Sequence, residues 1–477
     1  MTETAARSPW PRAEIARWPH WDVVALGSIT LLGLILRVFN LTAAPLFLDN
    51  LDELQFAWAG MNLILHGDAY TWSFFAAYPN PTKIHIFGET LPMVHQWMDH
   101  PPLYSLLVGG WVVLLGARHL DQVTAVQVRV IPILASSSTV LLTGLFARPI
   151  LGRWPALIAA ALLATAPAAV LLGRQSEPES VQAVLLLLAL MACWHLTQGT
   201  ARRRLWLIVA CVSALLAPGM KISGVGVGGI ALGILLAERQ FRAFAWVLGA
   251  TIAGVLVYPL YGALVNWNLF LAIVFSQDLN RQNVLTVFNF IAAPVGVNRP
   301  LHDGWWLLGW LGLLLLAVVG ERRVGVLAVV SERPRHGWFL VWPAAAYTLV
   351  ILILAGTAQT AAYGWYRIII YPEVYLAAAG LVWWAMRRGS VGGYALVLGL
   401  GGATATNWLF AGSGSGWVPS PVLLVAILAV LLVPAVFATW SPAWRRRAQG
   451  VMAGGLVAVL LANIGTSLIL GDVFAHM

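Results

Sequence analysis

Charge is what this sequence has least of. Lys, Arg, Asp and Glu together make up 10% of 477 residues, against about 25% in ordinary soluble domains. That shortage excludes a water-soluble enzyme. Cysteine is nearly absent as well: Cys193 and Cys211 each lie inside an apolar run, so neither a disulfide framework nor a cysteine metal site is available. Fixed-period repeats and low-complexity linkers are also missing.

What is present is apolar: 60% of the residues are hydrophobic, in runs of roughly 15 to 23 residues, close to what a bilayer core of about 30 Å demands of a helix. The net charge of +9 comes from 28 Lys and Arg against 19 Asp and Glu. The basic residues sit in short loops between the runs, so the excess reads as positive-inside topology and not as a nucleic-acid footprint. Polar residues 1–21, with Arg7, Arg12 and Arg17, lead into the run Trp21–Phe39, which reads as an uncleaved first helix with a cytoplasmic N-terminus. Further runs cover 103–117, 125–147, 153–172, 178–197, 204–219, 222–237, 242–263, 304–320, 338–356, 366–385, 391–411, 421–439 and 451–470. If all of them cross, Arg148/Arg153, Arg202–Arg204, Arg322/Arg323/Arg333/Arg335 and Arg445–Arg447 fall outside, against the rule. Leaving out the shortest, 103–117, which follows Pro101-Pro102 and contains Gly109-Gly110, returns every cluster to the cytoplasm. This run therefore reads as re-entrant or interfacial.

The expected fold is an all-α polytopic membrane protein with about 13 transmembrane helices, N-terminus in and C-terminus out. It forms a single transmembrane domain over 1–477, with no soluble C-terminal domain. A long external loop, 40–124, carries amphipathic helices and shares the outer face with loop 264–303 and the turns at 174–179, Lys221 and 359–367. Loops longer than about 15 residues are usually functional.

Acidic residues concentrate on that face. Asp49, Asp52 and Glu53 follow the first helix, and carboxylates near hydrocarbon usually mark a site. The plainer alternative is that they are solvated, or cap a helix showing Leu54, Trp58, Met61 and Leu65 on one side. In Arg174-Gln175-Ser176-Glu177-Pro178-Glu179, Pro178 suits a first helical turn and the glutamates suit its dipole. A carboxylate there can act as general base on an acceptor hydroxyl or amine, with a second orienting it or a cation. Glu177, Glu179 and Asp52 also make an oxygen-rich set of the kind Mg or Mn takes, whereas His85, His95 and His100 are scattered as surface histidines are.

The segment 36–41 (Leu-Arg-Val-Phe-Asn-Leu), Asp52-Glu53, Gly67-Asp68, His100-Pro101-Pro102-Leu103-Tyr104 and Arg129 together resemble the N-terminal half of GT-C glycosyltransferases. The likeness is to the protein-mannosyltransferase and aminoarabinose-transferase-like branch, well over about residues 30–190. It implies a membrane enzyme of the cell envelope that moves a hexosyl or pentosyl group from a polyprenyl-phosphate-linked donor to an acceptor lipid, glycan or protein. The site lies on the outer face of the inner (plasma) membrane and the displacement inverts the anomeric centre. By the same resemblance Asp52 is the base, Glu53 its neighbour, and Glu177 or Glu179 the second acid. His100 and Tyr104 belong to the segment near the membrane surface, with His100 standing where many relatives have Lys. Lys221 lies in a segment like the family's Lys-Gly turn, and Tyr363, Tyr366 and Arg367 in one like its late lipid-phosphate segment. Arg281, Arg299 and His302, in the second external loop, are further phosphate candidates. Snorkelling explains Lys221 equally well, and an aromatic belt explains the tyrosines. Gln55 and Phe56 depart from the family's Arg and Tyr, which speaks against the aminoarabinose activity itself. The lack of a C-terminal domain speaks against an oligosaccharyltransferase catalytic subunit.

Two other functions compete. A transporter or lipid flippase predicts charges near the midplane, and these helix interiors are almost free of them. A catalytically inactive GT-C-fold subunit of a membrane complex has no need of the interfacial acids.

Overall fold

The structure, a computed structural model, describes residues 19–45, 50–86, 88–200, 202–278, 290–292, 303–319, 338–354, 364–388, 391–412, 433, 436–437 and 441–475. Among the described residues seven helices are long and apolar enough to cross a bilayer: His20–Val38, Ala125–Leu151, Pro178–Thr197, Arg203–Met220, Phe241–Val265, Trp365–Arg388 and Arg446–Leu468. Shorter apolar helices fill the intervals between them. Their outward sides carry exposed Leu31, Leu256 and Leu260, a pattern that suits lipid and not water.

Helix α1 (His20–Val38) leads into the long external segment. There α2 (Asp52–His66) is followed by strands β1 (Thr71–Trp72), β2 (Thr82–Ile86) and β3 (Glu89–Val94), and then by α3 (Pro102–Leu114). The strands form a small antiparallel sheet in the order β1-β3-β2, with Ile84 opposite Leu91 and Thr71 opposite Val94. An all-helical expectation misses this sheet, although Thr82-Lys83-Ile84-His85-Ile86 alternates polar and apolar residues with the period of a strand.

Helix α2 is not the one-sided helix that its leucine stripe suggests. Every residue from Glu53 to Asn62 is buried. Its polar members face carbonyls in and just before β1: Gln55 Nε2 donates to Trp72 O at 2.8 Å, and Asn62 Nδ2 to Tyr70 O at 2.6 Å. Helix α3 closes the other side. The two helices cross where Gly60 meets Gly109, so closely that a Cβ on Gly60 would stand 1.8 Å from Ser105 O. At a rise of about 1.5 Å per residue, α3 is about 20 Å long, shorter than a hydrocarbon core.

The bundle continues with α4 (Ala125–Leu151), whose N-terminus carries a reciprocal cap between Thr124 and Gln127. The run expected over 153–172 is two helices, α5 (Arg153–Thr165) and α6 (Pro167–Leu172). Pro167 lacks an N–H and disfavours helical backbone at the residue before it, so the chain bends there. Then come α7 (Pro178–Thr197), α8 (Arg203–Met220), α9 (Val225–Ala237), α10 (Phe241–Val265) and α11 (Trp267–Asp278). Among the described residues the last five are α12 (Gly304–Val319), α13 (Trp338–Leu354), α14 (Tyr371–Arg388), α15 (Val391–Gly412) and α16 (Pro442–Ala475). A 3-10 turn, Trp365–Ile370, runs directly into α14. Helix α11 lies within the expected second external loop, and most of the run 421–439 falls outside the described residues.

Candidate active site

The ends of α1, α6 and α8 and the starts of α2, α7 and α14 meet at one end of the bundle, which brings the scarce carboxylates together. Glu177 precedes α7 in extended backbone (φ −115°, ψ 140°), Pro178 takes the first helical position and Glu179 the first turn, where the helix dipole favours negative charge. The helix-start reading and the site reading of this segment therefore hold at once. Lys221, in the turn between α8 and α9, points at both acids: Nζ is 2.7 Å from Glu179 Oε1 and 3.8 Å from Glu177 Oε2. Asn50 Nδ2 donates to the remaining Glu177 oxygen at 2.6 Å. The Tyr366 ring lies 4.7 Å from the ammonium, a cation–π contact.

Asp52 begins α2 beside this group. Glu177 and Glu179 are fully buried, whereas Asp52 is half-buried, and among the described residues its carboxylate accepts no hydrogen bond. Burial raises its pKa above the ordinary carboxylate range. The charges of Glu179 and Glu53 add to the rise, and Lys221 opposes it. Glu177 is pushed well up by burial, with Glu179 and Asp52 adding and Lys221 and Asn50 opposing. Burial alone lowers the pKa of Lys221, but Glu179, Tyr366 and Glu177 outweigh it, so the ammonium is held charged. Three carboxylates gather around one cation, and repulsion from their neighbours adds to the rise at Asp52 and Glu177.

Glu53 turns the other way. Arg129 grips it from Nε at 2.9 Å and from Nη2 at 2.5 Å, and the Ser176 N–H donates to it at 2.9 Å. Arg129 also donates to Leu41 O and Pro45 O, tying down the link between α1 and α2. Arg174 holds the same link through Ala44 O at 2.6 Å and Leu36 O at 2.7 Å. Glu53 is thus an internal anchor that joins the start of α2 to the segment ahead of Glu177. Tyr104, also fully buried, meets Ser176 Oγ at 3.1 Å. His100 is partly exposed, its ring 5.3 Å from Phe56 and 5.8 Å from Trp97.

Reasoning from sequence passes over Asp99. It is buried, accepts from the Tyr78 hydroxyl at 2.7 Å and lies close enough to Asp52 to feel its charge. Burial pushes its pKa up to about 7, against the pull of bonds from Ser73, Tyr78 and Trp97. Asp303 is missed as well: it caps α12 through the Trp305 and Trp306 N–H groups and accepts from Tyr375 Oη at 2.5 Å. Arg367 is buried against the Trp306 ring, 5.2 Å away. Asp49, Arg281, Arg299, His302 and Tyr363 lie outside the described residues.

Among the described residues no group of three or more His, Cys, Asp and Glu is arranged as the ligands of one metal ion. The cation beside Glu177 and Glu179 in this structure is Lys221. His85 and His95 have separate partners, Thr90 and Asp68.

The fold is thus a polytopic helical bundle with an elaborated first loop and carboxylates gathered at one end. Residues 99–262 match the family described as dolichyl-phosphate-mannose-protein mannosyltransferase. The fold is similar to that of ArnT from Cupriavidus metallidurans bound to undecaprenyl phosphate, at 15% identity and TM-score 0.58, over 95% of this chain and 77% of that one. The apo state of the same protein aligns at 16% identity and TM-score 0.57, with the same coverage. No curated protein sequence matches the chain. The family match spans residues 99–262 of the 477, and the likeness to ArnT over the rest of the chain is one of fold.

Proposed function

We propose that this protein transfers a hexosyl or pentosyl group from a polyprenyl-phosphate-linked donor to an acceptor lipid, glycan or protein. The reaction takes place on the outer face of the membrane, with Asp52 as the base. The observation that carries the assignment is the difference among three neighbouring carboxylates: Glu177 and Glu179 are buried and paired with Lys221, while Asp52 is half-buried and, among the described residues, unpaired. A base must reach the proton it takes, and Asp52 is the one that can. Its raised pKa makes it a stronger base than an exposed aspartate.

Asp52 accepts the proton of the acceptor hydroxyl or amine as that atom attacks the anomeric carbon, and the lipid phosphate leaves from the opposite side of the sugar ring. Inversion follows from that opposition. Glu177 and Glu179 keep the local potential negative, and Lys221 moderates it. Glu53, clamped by Arg129 and Ser176, fixes the first turn of α2 and so the direction of Asp52. His100 and Tyr366, both partly exposed at the same end of the bundle, are the described residues that face the donor. The structural relative bound to undecaprenyl phosphate supports a donor of that lipid class.

Detergent-purified full-length protein, given undecaprenyl-phosphate sugars and an envelope extract as acceptor, is expected to release free undecaprenyl phosphate. Release from none of a panel of hexosyl and pentosyl donors would contradict the proposal.

A further inference from the structure

The opposite end of the bundle carries a second built arrangement that the transfer reaction does not use. Asp22, in the first turn of α1, is fully buried and pairs with Arg153 Nε at 2.6 Å and with Arg148 Nη2 at 3.7 Å. The Arg153 guanidinium lies 4.9 Å over the Trp154 ring. Trp154 stacks on Trp383 of α14, with centroids 6.0 Å apart and planes inclined by 26°. Arg387, one turn further on, covers Trp383 at 5.6 Å. The result is a ladder, Arg-Trp-Trp-Arg, across the seam between α5 and α14.

Arg148 and Arg153 pair with the single carboxylate of Asp22, and Arg387 adds a further cation on Trp383, so the cations outnumber the carboxylate at this seam. Asp22 occupies Arg153 through Nε, and among the described residues the two terminal nitrogens of Arg153 and the guanidinium of Arg387 have no hydrogen-bond partner. A guanidinium held over an indole, with its outer N–H groups unused, is preorganised for two-point binding of a phosphate. Trp154 and Trp21 are 48% and 78% exposed, with Val23 and Val24 similarly open beside Trp21. Indoles and valines so exposed in a membrane protein form an apolar bed below the cations, where acyl chains lie.

We propose that this ladder binds the headgroup phosphate of an acidic glycerophospholipid in the leaflet at that end of the bundle. Cations at this level meet the negative surface potential of anionic lipid, an attraction of about 1 kcal/mol per Lys or Arg near the surface. The apolar bed favours a lipid over free phosphate, because only a lipid fills both parts.

The test uses the full chain in nanodiscs of mixed phosphatidylglycerol and phosphatidylcholine, extracted gently and weighed by native mass spectrometry. Wild type is expected to retain phosphatidylglycerol preferentially, and Arg153→Gln with Arg387→Gln to lose about tenfold of that preference. Arg387→Gln alone removes an exposed guanidinium at a helix end and leaves the Asp22 pair intact, so it reads the site without threatening the fold. It is expected to lose part of the preference. Equal retention of both lipids by wild type, or an unchanged preference in both variants, would overturn the proposal. So would preferential retention that millimolar inorganic phosphate abolishes, since that marks a free-anion site.

Discussion

Lys221 Nζ stands 2.7 Å from Glu179 Oε1, with both side chains buried, and this pair sets the electrostatic balance at Asp52. The ammonium lowers the Asp52 pKa and the glutamate raises it. Removing either partner therefore moves the acid limb of the pH–rate profile in a known direction. Lys221→Gln leaves the carboxylates uncompensated, so Asp52 holds its proton to higher pH and the limb shifts up by about one unit. Glu179→Gln shifts it down by a similar amount. Profiles of kcat over pH 5 to 9 for the two variants check the pair, and shifts of the same sign would contradict it.

Glu53 and Arg129 make a different kind of contact, since neither is exposed. Breaking a buried pair from one side leaves a charge without compensation, at about 3 to 5 kcal/mol. Glu53→Gln and Arg129→Gln are each expected to lower the thermal midpoint of the purified protein by several degrees, and the double variant to lose less than the sum of the two. A double-mutant cycle on denaturant midpoints measures the coupling. Additive losses would mean that the pair does not anchor α2.

Asp99 links the site to pH through stability. Its folded-state pKa of about 7 lies above that of an exposed aspartate, so the native state keeps a proton that the unfolded chain releases. The stabilisation is complete below the ordinary aspartate pKa and fades as pH rises through about 7. Wild type is expected to lose thermal stability from pH 5 to pH 8, and Asp99→Asn to flatten that slope. An equal slope in the variant would assign the dependence to other groups.

Much of this was legible in the chain. The acids at Asp52, Glu177 and Glu179 stand out because their surroundings are apolar, and the helix-start signals at Pro178 place two of them on one turn. Lys221 is visible for the same reason. What sequence does not reveal is pairing across distance. Glu53 reads as a neighbour of the base, yet Arg129 and the Ser176 N–H turn it into an anchor. Asn50 and Glu177 are 127 positions apart and meet at 2.6 Å. Nothing local in Asp99 announces that Tyr78 and Trp97 enclose it. The sheet over 71–94 is hidden in the sequence because its short alternating strands sit among hydrophobic segments that all favour helices.

The most direct measurement is sugar transfer by Asp52→Asn. The amide keeps the shape of the side chain and cannot accept the proton, so release of polyprenyl phosphate is expected to fall by at least about 10²-fold, with the thermal midpoint unchanged. Asn at this position with wild-type turnover would remove Asp52 from the chemistry and contradict the central claim.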